Sequence, residues 1–405
     1  MSTLPLSFRP VDCAVIIPTY NGRTVLGSCL DALYASQIPS GVTRDIIVVD
    51  NGSSDDTLDL IATDYPAVRV VHLERNTGFT GGIAAGVAAT GSTALVFLNN
   101  DTRVDYLWLE ALLAPLESPG IAAAGSILLD ETEEKLDYRG GSANLFGWGF
   151  QQGHGEPVES IAGLTDPIPE LFCCGGAMAI RRATYLEVGG FDPDYFAFFE
   201  DVDLGWRLNL AGYKCVVAPE SRVSHLQSFT AKTMPRALRA FLCERNALTT
   251  MVKNLSDANL AELLPWAIAL SLTRGLIDQG IERDRFFSGR WGDEVFGRRG
   301  KTNSEILIDE VADLKESGKR MVKETLLREG NQEDRGTARL LALESVLREW
   351  PKWLAKRETV QALRKVGDKQ LMPLMADLLR APLGHPREQA VMTLLGEWLR
   401  NKRAP

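Results

Sequence analysis

Short apolar runs rich in β-branched residues punctuate the first hundred positions, at 14–17, 46–49, 68–73 and 94–98. Each is too short for a helix and lacks the alternation of a strand with one wet face. The pattern predicts strands buried on both sides of a sheet. Between them, 24–36, 57–65 and 82–89 carry helical spacing. The β-α-β-α order predicts an α/β fold with a mostly parallel, doubly wound sheet flanked by helices. Residues 130–169 are rich in Gly and hold scattered aromatics without a clean period. They are expected to form an irregular loop or hairpin insertion beside the site. A strand signal follows at 215–218, and from Arg236 the pattern turns helical to the end. The candidate helices there are 238–252, 259–281, 304–328, 337–356, 360–366 and 387–400, with Gly and Pro as breaks. This predicts a sheet domain over 1–235 and an all-α region over 236–405.

Polar residues follow the apolar runs directly: Thr19-Tyr20-Asn21, Asp50-Asn51-Gly52-Ser53, Asn76-Thr77-Gly78 and Asn99-Asn100-Asp101. In open α/β sheets ligands bind beyond the carboxyl ends of the strands, so these clusters are expected to gather on one edge. Asp101 is a hard oxygen ligand suited to Mg²⁺ or Mn²⁺ on a diphosphate; an Asx turn ending a strand would use the same residues. Asp50 is placed to accept hydrogen bonds from a nucleobase or ribose, while Ser54 or Asp55 caps the next helix. The turn at 75–82 is glycine-rich and opens a helix, but it is neither GxGxxG nor GxxxxGK[ST]. The small residues of Cys173-Cys174-Gly175-Gly176 leave room for a sugar or acceptor, or for close packing of a strand on a helix.

Further along, Phe198-Phe199-Glu200-Asp201-Val202-Asp203 puts three acids within four residues at an expected helix start. Acids suit a helix N-terminus, but the preceding phenylalanines point to a partly buried carboxylate that can serve as a general base. Asp203 and Arg207 share a helix face at i, i+4 and read as a structural pair. His225, one of four histidines, is a candidate metal ligand or an ordinary core residue.

The net charge of −9 argues against binding bulk nucleic acid. None of the six cysteines has CxxC spacing, which fits a reducing compartment and no zinc site. The first twelve residues lack a basic segment followed by a long apolar run. The stretch 263–273 is uncharged for only 11 residues and contains Pro265, too short to span a bilayer. The expected location is the cytoplasm, with the inner face of the cell membrane as an extension.

Read together, these motifs resemble glycosyltransferase family 2, inverting enzymes of the GT-A fold, and in particular its rhamnosyltransferase-like members. The stretches that carry the resemblance are Ile17-Pro18-Thr19-Tyr20-Asn21, Val48-Val49-Asp50-Asn51-Gly52-Ser53, Arg75-Asn76-Thr77-Gly78-Phe79, Phe97-Leu98-Asn99-Asn100-Asp101, Gly189-Gly190-Phe191-Asp192 and Phe199-Glu200-Asp201-Val202-Asp203. Arg245-Asn246 is similar to a further family feature, so the resemblance covers roughly 12–253. It implies that Thr19, Tyr20, Asn21 and Asp50 line the nucleotide pocket, with Asn76 and Gly78 near the ribose and diphosphate. Asn99, Asn100 and Asp101 stand where the family carries Asp-x-Asp, with Asp101 as metal contact and His225 as second ligand from the loop after the catalytic helix. Asp201 occupies the position of the catalytic base, with Glu200 as its rival. Asn99 departs from the motif's first acid and brings no charge to the metal.

The implied reaction moves a sugar, rhamnose by resemblance, from a nucleotide-diphosphate donor (dTDP-rhamnose or a UDP-sugar) to a glycan or lipid-linked glycan acceptor in polysaccharide synthesis. The alternatives are a non-catalytic nucleotide-sugar-binding scaffold and a nucleotidyltransferase. The helical region has three readings: it shapes the acceptor site, forms a homodimer, or docks on a membrane surface. The last draws on a partly amphipathic 260–281 and on Phe286, Phe287, Trp291 and Phe296 among several arginines.

Overall fold

The computed structural model describes residues 11–226, 234–281, 334–376 and 380–403. The first half runs β1 (Val11–Thr19), α1 (Leu26–Ala35), β2 (Val42–Asp50), α2 (Thr57–Asp64), β3 (Arg69–His72), α3 (Gly78–Ala88), β4 (Ala94–Leu98), β5 (Thr102–Val104), α4 (Trp108–Leu113) and β6 (Ile121–Leu129). Then come β7 (Leu136–Tyr138), β8 (Gly140–Ala143), β9 (Gly149–Gln152), β10 (Ile168–Glu170), β11 (Ala177–Arg181), α5 (Arg182–Glu187), α6 (Glu200–Leu210) and β12 (Lys214–His225). The main sheet has the order β10-β12-β6-β11-β4-β1-β2-β3. β1, β2, β3 and β4 are parallel to one another, as are β6 and β12, while β11 runs antiparallel between β4 and β6. This is the expected mostly parallel sheet of the GT-A type, with helices on both faces.

The four expected strands are all present. Ala14–Ile17 and Ile47–Val49 are fully buried, as apolar runs sandwiched between helix layers must be. β1 pairs with β4 only as far as Ile16, but with β2 as far as Thr19. Pro18, which has no N–H to donate, falls where β1 and β4 have already parted. The chain turns to opposite sides of β1 to reach β2 and β4, so a crevice opens at this point.

The insertion after Asp130 is more ordered than a loop: β7 joins the main sheet, β8 and β9 form a hairpin, and β10 adds an edge strand. β6 was not legible from its alanine-rich sequence, in which only Ile121 and Ile127 are β-branched. Close packing explains it, since a Cβ on Gly125 would come within 2.9 Å of the Cys173 Cβ.

The helical region comprises α7 (Arg236–Asn254), α8 (Asp257–Asp278), α9 (Arg335–Arg348), α10 (Trp350–Ala362), α11 (Asp368–Leu371) and α12 (Pro386–Arg403). The single helix expected over 337–356 is two, because Pro351 sits in the first turn of α10, where its missing N–H costs nothing. The 360–366 helix is the end of α10 followed by loop. The 304–328 helix and the Phe286, Phe287, Trp291 and Phe296 group lie outside the described residues. α8 corrects the estimate of an 11-residue apolar stretch: over 22 residues it is long and apolar enough to cross a membrane. It nonetheless buries Leu260, Leu263, Ala267 and Leu270, packing on α9 and α12. It also holds Arg274, buried in ion pairs with Glu244 of α7 and Glu388 of α12.

Candidate active site

A cavity of about 630 Å³ opens at the carboxyl ends of the strands, within the range of small-molecule sites. At its floor the β1/β4 crevice is tied by Asn100 Nδ2 donating to Thr19 Oγ1 at 2.8 Å. The tie requires Gly22 beneath it, where a Cβ would fall 2.2 Å from Thr19 Oγ1. Thr19, Tyr20, Asn76, Gly78, Asn99, Asn100 and Asp101 all line the cavity.

Asn21 and Asp50 do not line it. Asn21, at φ 50°, braces the two loops instead: its N–H donates to Ser53 Oγ and its Oδ1 accepts from the Ser54 N–H. Asp50 is wholly buried, 2.7 Å from His72 Nδ1, and accepts from the Ser53 N–H. Its neighbour Asn51 takes the wall position. Asn51 Oδ1 accepts from the Thr77 N–H and hydroxyl at 2.8 and 2.9 Å, and its Nδ2 donates to the Gly78 carbonyl at 2.9 Å. Gly78 needs to be glycine: its φ is +76° and a Cβ would sit 2.3 Å from the Phe196 carbonyl oxygen.

Asp101 and His225 do meet. His225 is the last residue of β12, paired with Thr102, rather than part of a loop. Its Nδ1 is 2.8 Å from Asp137 Oδ2, and its buried Nε2 faces Asp101 Oδ1 at 3.5 Å with no hydrogen-bond partner. Burial alone would lower the imidazole pKa, but the two carboxylates outweigh it and raise it to about 9. Such surroundings call for a positive charge at Nε2, either a proton or a bound cation. A carboxylate on one nitrogen of an imidazole is how proteins orient histidine metal ligands. Among the described residues no three His, Cys, Asp or Glu side chains form a metal cage. Asp137 lies in the insertion and carried no sequence signal.

Glu200 and Asp201 enter the cavity at the start of α6, from a turn in which Phe196, Phe198 and Phe199 all have positive φ (64°, 69° and 62°). Side-chain-bearing residues avoid this region, so three of them in one turn must be held there. The fully buried Asn246 holds them: its Nδ2 donates to the carbonyls of Tyr195, Ala197 and Phe198 at 3.0, 2.9 and 2.7 Å. Arg245 adds bonds to the carbonyls of Asp194 and Tyr195. Asp201 accepts from the N–H groups of Gly175 (3.1 Å) and Val202 (2.8 Å). Burial raises its pKa despite these bonds. Glu200 is pushed well above the usual carboxylate range by burial and by Asp201, and its Oε2 has no hydrogen-bond partner.

Behind this pair lies a second set of acids. Asp203 receives Arg207 (2.8 Å), Lys253 (2.9 Å) and Asn254 (2.9 Å), and Asp192 receives Lys253 (2.8 Å) and Lys356. The i, i+4 pair expected from sequence is therefore one edge of a buried network that binds α6 to α7 and α10.

The model of the family described as "Glycosyl transferase family 2" matches residues 14–189. The chain is 29% identical over 224 residues to N-acetylgalactosaminyltransferase 6 of Drosophila melanogaster, covering 53% of this chain and 34% of that protein. It is 28% identical over 209 residues to N-acetylglucosaminyl-diphospho-decaprenol L-rhamnosyltransferase of Mycobacterium tuberculosis, covering 44% and 66%. The chain thus spans between a third and two thirds of the length of these relatives. In fold it is similar to a crystal structure of GalNAc-T7 with UDP, GalNAc and Mn²⁺, at a TM-score of 0.50 and 18% identity, over 64% of this chain and 51% of that one. Residues 14–189 thus match the model of glycosyltransferase family 2, and the sheet that carries the strand-end cavity has the GT-A fold.

Proposed function

We propose that this chain is an inverting glycosyltransferase that uses a divalent cation and a nucleotide-diphosphate sugar. The observation that carries this reading is the Glu200–Asp201 pair, held without a cationic partner among the described residues in the wall of a cavity that Asp101 and His225 also line. Support for the donor class comes from the UDP and Mn²⁺ named for GalNAc-T7 and from the two transferase relatives.

Asp201 is the base. Two backbone N–H groups fix its carboxylate, and its raised pKa makes it a better proton acceptor than an exposed aspartate. It takes the acceptor hydroxyl's proton as the oxygen attacks the anomeric carbon from the side opposite the leaving diphosphate. Configuration inverts, and no covalent sugar–enzyme intermediate forms. Glu200, kept neutral by its surroundings, is a hydrogen-bond donor to the sugar or acceptor rather than a second base. Asn51, Asn76, Asn99 and Asn100 offer neutral donors and acceptors to the nucleoside and sugar. Asp101 and His225 would hold a divalent cation, which would neutralise the charge of the leaving group.

The donor is dTDP-rhamnose or a UDP-sugar, and the acceptor a glycan or lipid-linked glycan. The M. tuberculosis relative, named for a decaprenol-linked acceptor, supports a lipid-linked acceptor; the place of work proposed with it is the inner face of the cell membrane. From the helical region, Arg239, Cys243 and Arg380 line the cavity and would shape its acceptor side. A panel of dTDP-, UDP- and GDP-sugars, with and without Mg²⁺ or Mn²⁺, tests the reading. Metal-dependent release of one nucleoside diphosphate is expected. Folded protein that binds no member of the panel would contradict it.

A further inference from the structure

Two arginines stand in the cavity wall, both from chain beyond the family-matched segment: Arg239 on α7 and Arg380 ahead of α12. The Arg239 guanidinium lies 5.5 Å from the centre of the Phe198 ring, and that of Arg380 lies 4.4 Å from the centre of Phe150. Both residues are exposed, and neither is ion-paired to a carboxylate of the described residues. Other arginines nearby are committed, Arg207 to Asp203 and Arg245 to backbone carbonyls. A stacked guanidinium keeps its plane fixed and its N–H edge open, the form that grips phosphate oxygens in pairs.

Their position separates them from the donor residues at the strand ends. Phe198 comes just before Glu200 and Asp201 in the same turn. Phe150 follows Gly149, where a Cβ would lie 2.6 Å from Val202 Cγ2 and 3.3 Å from the Phe199 ring. The backbone of Arg380 is itself fastened, its carbonyl accepting from the buried Asn144 Nδ2 at 3.3 Å. Both cations therefore flank the base, where the acceptor must approach. The same cavity holds Asp101, Glu200 and Asp201, so an anion would be repelled there without them.

We propose that Arg239 and Arg380 form a subsite for a phosphate group of the acceptor, making the acceptor a phosphate- or diphosphate-linked glycan. This rests on the transfer reading above and narrows it to an anionic class.

The test is a calorimetric titration of octyl diphosphate into the full chain, pre-saturated with Mg²⁺ and the nucleoside diphosphate released in the donor panel. Binding is expected, at least about tenfold tighter than octyl glucoside, since hydrogen bonds between charged groups are the strong ones. The R239Q/R380Q variant should lose about tenfold or more in affinity for octyl diphosphate while holding the nucleoside diphosphate as the wild type does. R239K/R380K, which keeps the charge but not the fork, should retain part of the affinity. Inorganic pyrophosphate binding as tightly as octyl diphosphate shows a subsite reading phosphate alone, and weaker binding shows the alkyl chain contributing; each supports the proposal. Unchanged affinity in R239Q/R380Q overturns it, as does a loss confined to the nucleoside diphosphate. A wild type that binds no nucleoside diphosphate fails the transfer reading; one that binds it but not octyl diphosphate fails this proposal alone.

Discussion

Asp192 and Asp203 on one side, and Glu200 and Asp201 on the other, come from the same short stretch of chain and live in opposite surroundings. All four are largely withdrawn from water. For Asp192, burial alone would raise the pKa, but Lys253 and Lys356 outweigh it and hold the carboxyl well below its usual range. Asp203 shows the same balance, with Arg207 and Lys253 prevailing over burial and over Asp192. Among the described residues no cation offsets the burial of Glu200 and Asp201, and both are raised. The difference separates structure from chemistry. A buried charge with partners holds helices together, whereas one without partners is kept only where it acts on something that enters.

The largest expected effect falls on the paired set. Asp203→Ala leaves Arg207 buried without its anion and Lys253 with Asp192 alone, and should cost about 3–5 kcal/mol, read from the urea midpoint. The sign with pH follows from the lowered pKa values. The stabilisation by Asp192 and Asp203 is present above the unfolded value of 3.8 and is lost as pH falls below it. Wild-type stability should therefore drop in that acid window, and Asp203→Ala should flatten the drop.

Next in size, Asp137→Asn should weaken Mn²⁺ affinity, measured with the nucleoside diphosphate bound, by about 10–100-fold, because it removes the carboxylate that orients His225. An unchanged affinity would place the cation elsewhere. Asn246→Ala, which frees the turn before α6, should cost about 1–3 kcal/mol of stability. It should also lower kcat more than it raises the donor KM, since it disturbs the acids and not the strand ends. A variant that altered only the donor KM would break the division drawn here.

The smallest effect concerns Glu200. Its folded pKa is raised, so the protonated state is fully accommodated below the unfolded value of 4.5 and stability declines as pH rises above it. Glu200→Gln should match the wild type near pH 4 and be more stable than it at pH 7.5, in thermal melts.

What could be read from sequence was whatever local pattern controls. Ala94–Leu98 was legible because a fully buried strand must be continuously apolar, and Asn99, Asn100 and Asp101 followed because a parallel strand delivers its next residues to the binding edge. The start of α6 and the Asp203–Arg207 pair were legible from helical spacing. Asp137, Asn246 and Arg380 were not legible as partners. They reach His225, the strained turn and Phe150 across 88, about fifty and 230 positions respectively, and no periodicity marks such meetings. Asp50 was misplaced for a related reason: its strand-end position was legible, but His72, which draws it behind the wall, comes from the parallel neighbour β3.

The most direct test of the division between the two sets is Asp201→Asn, assayed in one preparation for donor binding, nucleoside diphosphate release with acceptor present, and thermal midpoint. The account predicts donor affinity and midpoint close to wild type, with turnover reduced by about 10²–10⁴-fold, the range of general-base catalysis. Wild-type turnover by this variant would contradict it.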